Sequence, residues 1–94
     1  MKKLAFVMLG VSLLSGCLAI PPQDVSPEMR DDYLDAVASI GCVLREEKHY
    51  LPVELQAGLT REQVIALTQY HLAKGTAETL PDDQGVKLMT GACA

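Results

Sequence analysis

Met29, Tyr33, Val37, Ile40 and Leu44 recur at three- and four-residue intervals, and Leu34 and Ala36 widen them into a stripe. That spacing gathers them on one side of a helix, with Asp31, Asp32 and Asp35 left to face water. Ser26-Pro27-Glu28 supplies a start for it. The serine hydroxyl can cap free amides, the proline ring suits the first helical position, and the glutamate complements the dipole. The pattern predicts a helix from Pro27 to about Ile40, interrupted at Gly41.

Cys42-Val43-Leu44-Arg45 fits either an extension of that helix or a short strand. Glu46 to Tyr50 is polar and reads as a loop. Leu51 to Ala57 reads as a short helix, with Gly58 placed to end it. Thr60-Arg61-Glu62-Gln63 then fits a capping box. Val64, Leu67, Thr68 and Leu72, with Ile65 beside them, give an apolar face, and Lys74-Gly75 is a cation followed by a helix-ending glycine. This predicts a third helix over Arg61 to Lys74. Thr76 to Leu80 and Val86 to Thr90 alternate and are rich in strand formers. Pro81-Asp82-Asp83-Gln84-Gly85 between them is dense with turn residues, so the pair reads as a β-hairpin.

The order of helix, short strand, short helix, capped helix and hairpin resembles the winged-helix fold over about Ser26 to Cys93. The stretch from Ala57 through Lys74-Gly75 into the hairpin carries most of that resemblance. It implies an α+β domain of three helices and a C-terminal hairpin. It also implies that a strand before the second helix pairs with the last strand of the hairpin. Cys42 would begin the first of these strands and Cys93 would follow the second.

The N-terminal segment has a different pattern. Met1-Lys2-Lys3 is basic, and Leu4 to Leu13 is almost wholly apolar. That run is about half the roughly 20 residues that span a bilayer as a helix. Leu14-Ser15-Gly16-Cys17 follows. The layout is that of a secretory signal, and the last four residues resemble a bacterial lipobox. The alternatives are a membrane-spanning anchor or an ordinary secretory signal.

The resemblance implies that residues 1–16 are a signal peptide removed before Cys17. The Cys17 thiol would carry a diacylglyceryl group, and the new amine would often be acylated too. Two or three acyl chains hold a protein stably, where one chain is marginal. Leu18 resembles the default for the outer membrane, not the inner. The expectation is a periplasm-facing protein tethered by residues 17–25, with a domain over residues 26–94. Pro21-Pro22 makes the stretch from Ala19 to Val25 semi-rigid, and at about 3 Å per residue that stretch spans roughly 20 Å.

Charge and cysteine content sharpen this picture. The chain of 94 residues carries −4; without Lys2 and Lys3 it keeps 6 Lys/Arg against 12 Asp/Glu, a net −6. An acidic chain repels phosphate backbones and anionic headgroups, so membrane contact is expected through the lipid, and nucleic acid is not an expected partner. A domain this small often needs a staple. Cys42 and Cys93 remain once Cys17 is modified, and an even pair in an exported protein points to a disulfide. The chain-entropy model gives about 4 kcal/mol for a loop of about 50 residues. Two free thiols are the alternative.

Candidate chemistry is sparse. A recognition-helix reading of the third helix offers Arg61, Gln63, Gln69, His71 and Lys74, but with Glu62 among them and an acidic wing, against the basic footprint such readers carry. Cys42, His49, His71 and Cys93 are zinc-ligand types without the close pairs that preorganise a site, so neither metal nor cofactor is expected. No serine lies in a nucleophile elbow. Asp31, Asp32, Asp35, Glu46 and Glu47 have the composition of a carboxylate pair but read as a solvated face, so no enzymatic activity is expected. Tyr50, Leu51, Pro52 and Val53 form an apolar cluster. It either starts the second helix and covers the core, or exposes Tyr50, Leu51 and Val53 to a protein partner, since tyrosine favours interfaces. The expectation is a non-catalytic accessory subunit anchored through Cys17 to the membrane, its envelope partner unidentified. The alternative is a periplasmic small-molecule or ion-binding module.

Overall fold

The computed structural model describes residues 20–82 and 84–94. The signal segment and Cys17 lie outside the described residues. The chain is an α+β domain with elements in the order α1 (Pro27–Ser39), β1 (Val43–Leu44), α2 (Glu47–Ala57), α3 (Arg61–Lys74), β2 (Ala77–Thr79) and β3 (Val86–Leu88), closed by a 3-10 turn at Gly91–Cys93. No helix among the described residues is long and apolar enough to cross a membrane.

Caps set most of the boundaries. Ser26 Oγ accepts from the Met29 amide at 3.1 Å, with Pro27 inside the first turn. Thr60 and Gln63 complete a reciprocal box at the start of α3: the Gln63 amide donates to Thr60 Oγ1 and Thr60 N donates to Gln63 Oε1. Gly58 and Gly75 end α2 and α3 in the left-handed region, at φ 67° and 85°, where a Cβ is disfavoured.

The second helix starts earlier than its sequence pattern predicts. Residues 47–50 are its first turn, not a loop. His49 Nδ1 turns back and accepts from the amides of Arg45 at 3.0 Å and Glu46 at 3.1 Å. A histidine thus does the work expected of a Glu or Gln at the third helical position. Pro52 is carried inside the helix. Proline there costs a backbone hydrogen bond, so the first turn depends on outside support.

β3 is the central strand of a three-stranded antiparallel sheet, with β1 and β2 on either side. Val43 pairs with Lys87 and Leu44 with Val86, while Ala77 pairs with Leu88 and Thr79 with Val86. The strand before α2 joins the last strand of the hairpin, as expected from the sequence. The helices lay their apolar sides on the sheet. Tyr33 and Val37 of α1, Leu44 of β1, Val53 of α2, Val64 and Leu67 of α3, and Leu88 of β3 are fully buried together.

Cys42 and Cys93 form a disulfide with Cα atoms 5.7 Å apart. It ties the start of β1 to the closing turn, across 51 residues of sequence. Cys42 sits at φ 67°, directly after Gly41 at φ 100°. The left-handed region is costly for a residue with a Cβ. The position is held from several sides: Cys42 N donates to Val37 O, and Leu88 N donates to Cys42 O, each at 2.9 Å.

Candidate protein-interaction face on the second helix

Helical geometry divides α2 between two duties. Val53 and Ala57, four residues apart, point into the core, and Val53 has no exposed surface. Leu51 and Leu55, also four apart, share another side of the helix and face outward, 46% and 75% exposed. Residues at this spacing stack along one face. The sequence-predicted patch is therefore redrawn: Val53 is a core residue, Leu51 is exposed, and Tyr50 is half-buried against the core. Leu55 replaces Val53. Once packing turns Val53 and Ala57 inward, the 3.6-residue period forces Leu51 and Leu55 outward.

Arg61, at the first position of α3, holds this face in place. Its Nη2 donates to Glu47 Oε2 at 2.7 Å and its Nε donates to Glu54 Oε2. Its guanidinium lies 4.9 Å from the centre of the Tyr50 ring. Glu47 and Glu54 are two helical turns apart, one on each side of Pro52. The single guanidinium therefore bridges the segment of α2 that proline weakens. Its hydrogen bond holds the Glu47 carboxyl below the ordinary range, and the two carboxylates push the Arg61 guanidinium further up.

The other candidate residues have structural partners. Cys42 and Cys93 are joined to each other, His49 caps α2, and His71 lies in the core, so the four zinc-ligand types are dispersed. Among the described residues no group of three or more His, Cys, Asp or Glu side chains is placed to hold a metal ion. Of the polar side chains on α3, Arg61 is committed to two glutamates, and Gln63 also donates to Asp24. His71 is 4% exposed.

His71 belongs to a polar seam through the core. Its Nδ1 lies 2.7 Å from Thr76 Oγ1, and the Thr76 hydroxyl donates to the His71 carbonyl at 3.3 Å. The ring stacks on Tyr33 with centroids 5.7 Å apart and meets Tyr70 edge-on. With Thr76 donating to the carbonyl, the ring proton belongs on Nδ1, and the buried Nε2 has no hydrogen-bond partner among the described residues. Burial, with Lys74 and Arg30 adding to it, pushes the His71 pKa down. Beside it, the Tyr33 hydroxyl lies 2.7 Å from Thr68 Oγ1, which donates to Val64 O at 2.8 Å. Burial raises the Tyr33 pKa to about 12, with the Thr68 hydrogen bond opposing it. Both residues stay neutral near pH 7, so this seam serves packing specificity.

No protein-family model, characterised protein or solved structure matches this chain.

Proposed function

We propose that the chain is a small lipid-anchored envelope protein that acts as a non-catalytic accessory subunit, engaging a protein partner through the outer face of α2. The observation that carries this reading is the Leu51–Leu55 pair. Two large apolar side chains are held outward on a helix that Val53 anchors from within and Arg61 grips from the side. An apolar centre with a polar rim is the usual composition of a specific interface. Lys48 and Gln56, both exposed, supply such a rim on α2. The lipobox-like Leu14-Ser15-Gly16-Cys17 supports the anchor, and the net charge of the mature chain supports contact through lipid and not through a basic surface.

The test is a mild-detergent pull-down of the tagged, acylated protein from native envelopes. Leu51→Glu/Leu55→Glu and Cys17→Ala serve as comparisons. The expected result is a stoichiometric partner that the double glutamate variant loses, while its melting temperature stays near that of the parent. A partner retained by that variant removes α2 from the reading. Turnover of a substrate by the soluble domain would replace the non-catalytic reading altogether.

The second reading, a periplasmic small-molecule-binding module, has one observation in its favour: an open groove of about 270 Å³ beside α3. Ligand sites usually enclose about 300–1,000 Å³ and bury most of the ligand. This groove falls below that range and is open to solvent.

A further inference from the structure

Three features fix the approach of the chain to the domain. Val25 is buried in the core. Gln63 Nε2 of α3 donates to the Asp24 carboxylate at 3.2 Å and to its carbonyl at 3.5 Å. Pro21-Pro22 stiffens the residues before that. Ile20 and Pro22 consequently lie along α3, where they line the groove together with Ala66, Gln69, Tyr70 and Ala73. Between Ile20 and Cys17 stand only Leu18 and Ala19, a reach of about 10 Å when extended.

This face of α3 also differs in charge from the exposed side of α1. From Gln63 to Ala73 the helix contains no Asp, Glu, Lys or Arg. In contrast, α1 exposes Asp31, Asp32 and Asp35. Along α3 the nearest acid in sequence is Glu62, four residues before Ala66, and Asp24 at the end of the tether meets Gln63. Lys74 closes the helix with its ammonium 4.9 Å above the Tyr70 ring. Anionic headgroups repel an acidic protein, so the face that meets them at least cost is the uncharged one. A tyrosine suits the boundary between headgroups and acyl chains, and a lysine at the edge can reach the phosphates.

We propose that the groove face of α3 rests on the bilayer that holds the Cys17 lipid, with Ile20 and Tyr70 at the headgroup–acyl boundary. The inference rests on Cys17 being acylated. Ile20, three residues after Cys17 in the sequence, lies on the uncharged face, so a tether this short would orient the domain as well as attach it. The Leu51–Leu55 face, on a different helix, then remains available to protein.

The chain contains no tryptophan, so one introduced indole reports a single position. The experiment uses the acylated full chain in vesicles of phosphatidylethanolamine and phosphatidylglycerol with brominated acyl chains. Tyr70→Trp and Ala73→Trp report the groove, and Leu55→Trp reports α2. Emission of both groove reporters should fall about twofold or more relative to unbrominated vesicles, while that of Leu55→Trp is unchanged. Adding Ala66→Glu to the Ala73→Trp reporter should abolish the quenching while the protein still floats with the vesicles. Equal quenching at all three positions, or quenching of Leu55→Trp alone, overturns the proposal. So does shielding of the groove reporters from both bromolipid and aqueous acrylamide, which would place a protein surface there, such as a second copy. A chain that does not float refutes the anchor, and this proposal with it. A chain that floats without oriented quenching refutes only the orientation.

Discussion

Arg61 and Glu47 lie 14 residues apart in sequence and 2.7 Å apart in space, and their contact closes the first turn of α2 against the start of α3. A second bond from the same guanidinium to Glu54 places the grip on both sides of Pro52. The helix that presents Leu51 and Leu55 is thus held from a neighbouring helix as well as by its own His49 cap.

Arg61→Gln should therefore loosen α2 locally. Amide exchange at Tyr50 and Leu51 is expected to speed up several-fold, with the Val64 and Leu67 amides of α3 much less affected. The effect should shrink in a Pro52→Ala background, where the helix regains its missing hydrogen bond. Hydrogen-exchange mass spectrometry on the two variants and their combination reads this directly. Equal acceleration across α2 and α3 would assign Arg61 a global role instead.

Gly85 is required for a reason other than the turn. A Cβ at this position would stand 2.7 Å from the Leu44 carbonyl oxygen and 3.1 Å from Arg45 Cα. Both are backbone or backbone-attached, so neither can rotate away. Gly85→Ala should push the hairpin off β1 at a cost of about 1–3 kcal/mol. A urea melt should show the loss, and a variant as stable as the parent would rule out the close approach.

The disulfide and the strained backbone at Cys42 can be separated. Cys42→Ala/Cys93→Ala should lower unfolding free energy by up to about 4 kcal/mol. Cys42→Gly/Cys93→Ala should lose about 1 kcal/mol less, because glycine adopts the left-handed region without a Cβ penalty. Chemical denaturation of both pairs decides it: no difference between alanine and glycine would mean that residue 42 leaves the left-handed region once the bridge is gone.

Stability should fall with acidification before the carboxylates titrate. The folded state holds the His71 pKa below its ordinary value of about 6.5. Below that value the unfolded chain takes up a proton that the folded chain resists. The contribution is therefore present above about pH 6.5 and is lost as pH falls toward the lower folded-state pKa. Lys74 and Arg30 act on the ring in the same sense as burial, and the stacked Tyr33, its pKa raised to about 12, carries no charge in this range. The decline in melting temperature from pH 7.5 to 5.5 should be smaller in His71→Gln. Glu47 and Asp82 are held below their ordinary range by Arg61 and by the Gln84 amide respectively. They add losses in the same direction, but only as pH drops further.

The sequence by itself determined the elements whose signals are local. Ser26-Pro27 and the Thr60–Gln63 box mark α1 and α3 because a cap is a contact over three residues. Gly58 and Gly75 mark helix ends because only a residue without a Cβ takes φ > 0 freely. The hairpin was legible for a similar reason, since strand alternation on either side of a turn-rich segment needs no distant partner. The even pair Cys42 and Cys93 pointed to a bridge, and the winged-helix order of elements placed its two ends together. What tertiary structure decided depends on contacts between residues far apart in sequence. The first turn of α2 is held because Arg61 reaches back across 14 residues, although the local sequence reads as a polar loop; the His49 cap there is local but uses a ring nitrogen in place of the usual carboxylate or amide. Val53 turns inward and Leu55 outward because the packing of α2 against α1 and α3 fixes its rotation, which a short helix with apolar residues on several sides does not specify alone. The tether lies along α3 because Val25 enters the core and Gln63 holds Asp24, an arrangement that exists only once the helices have assembled.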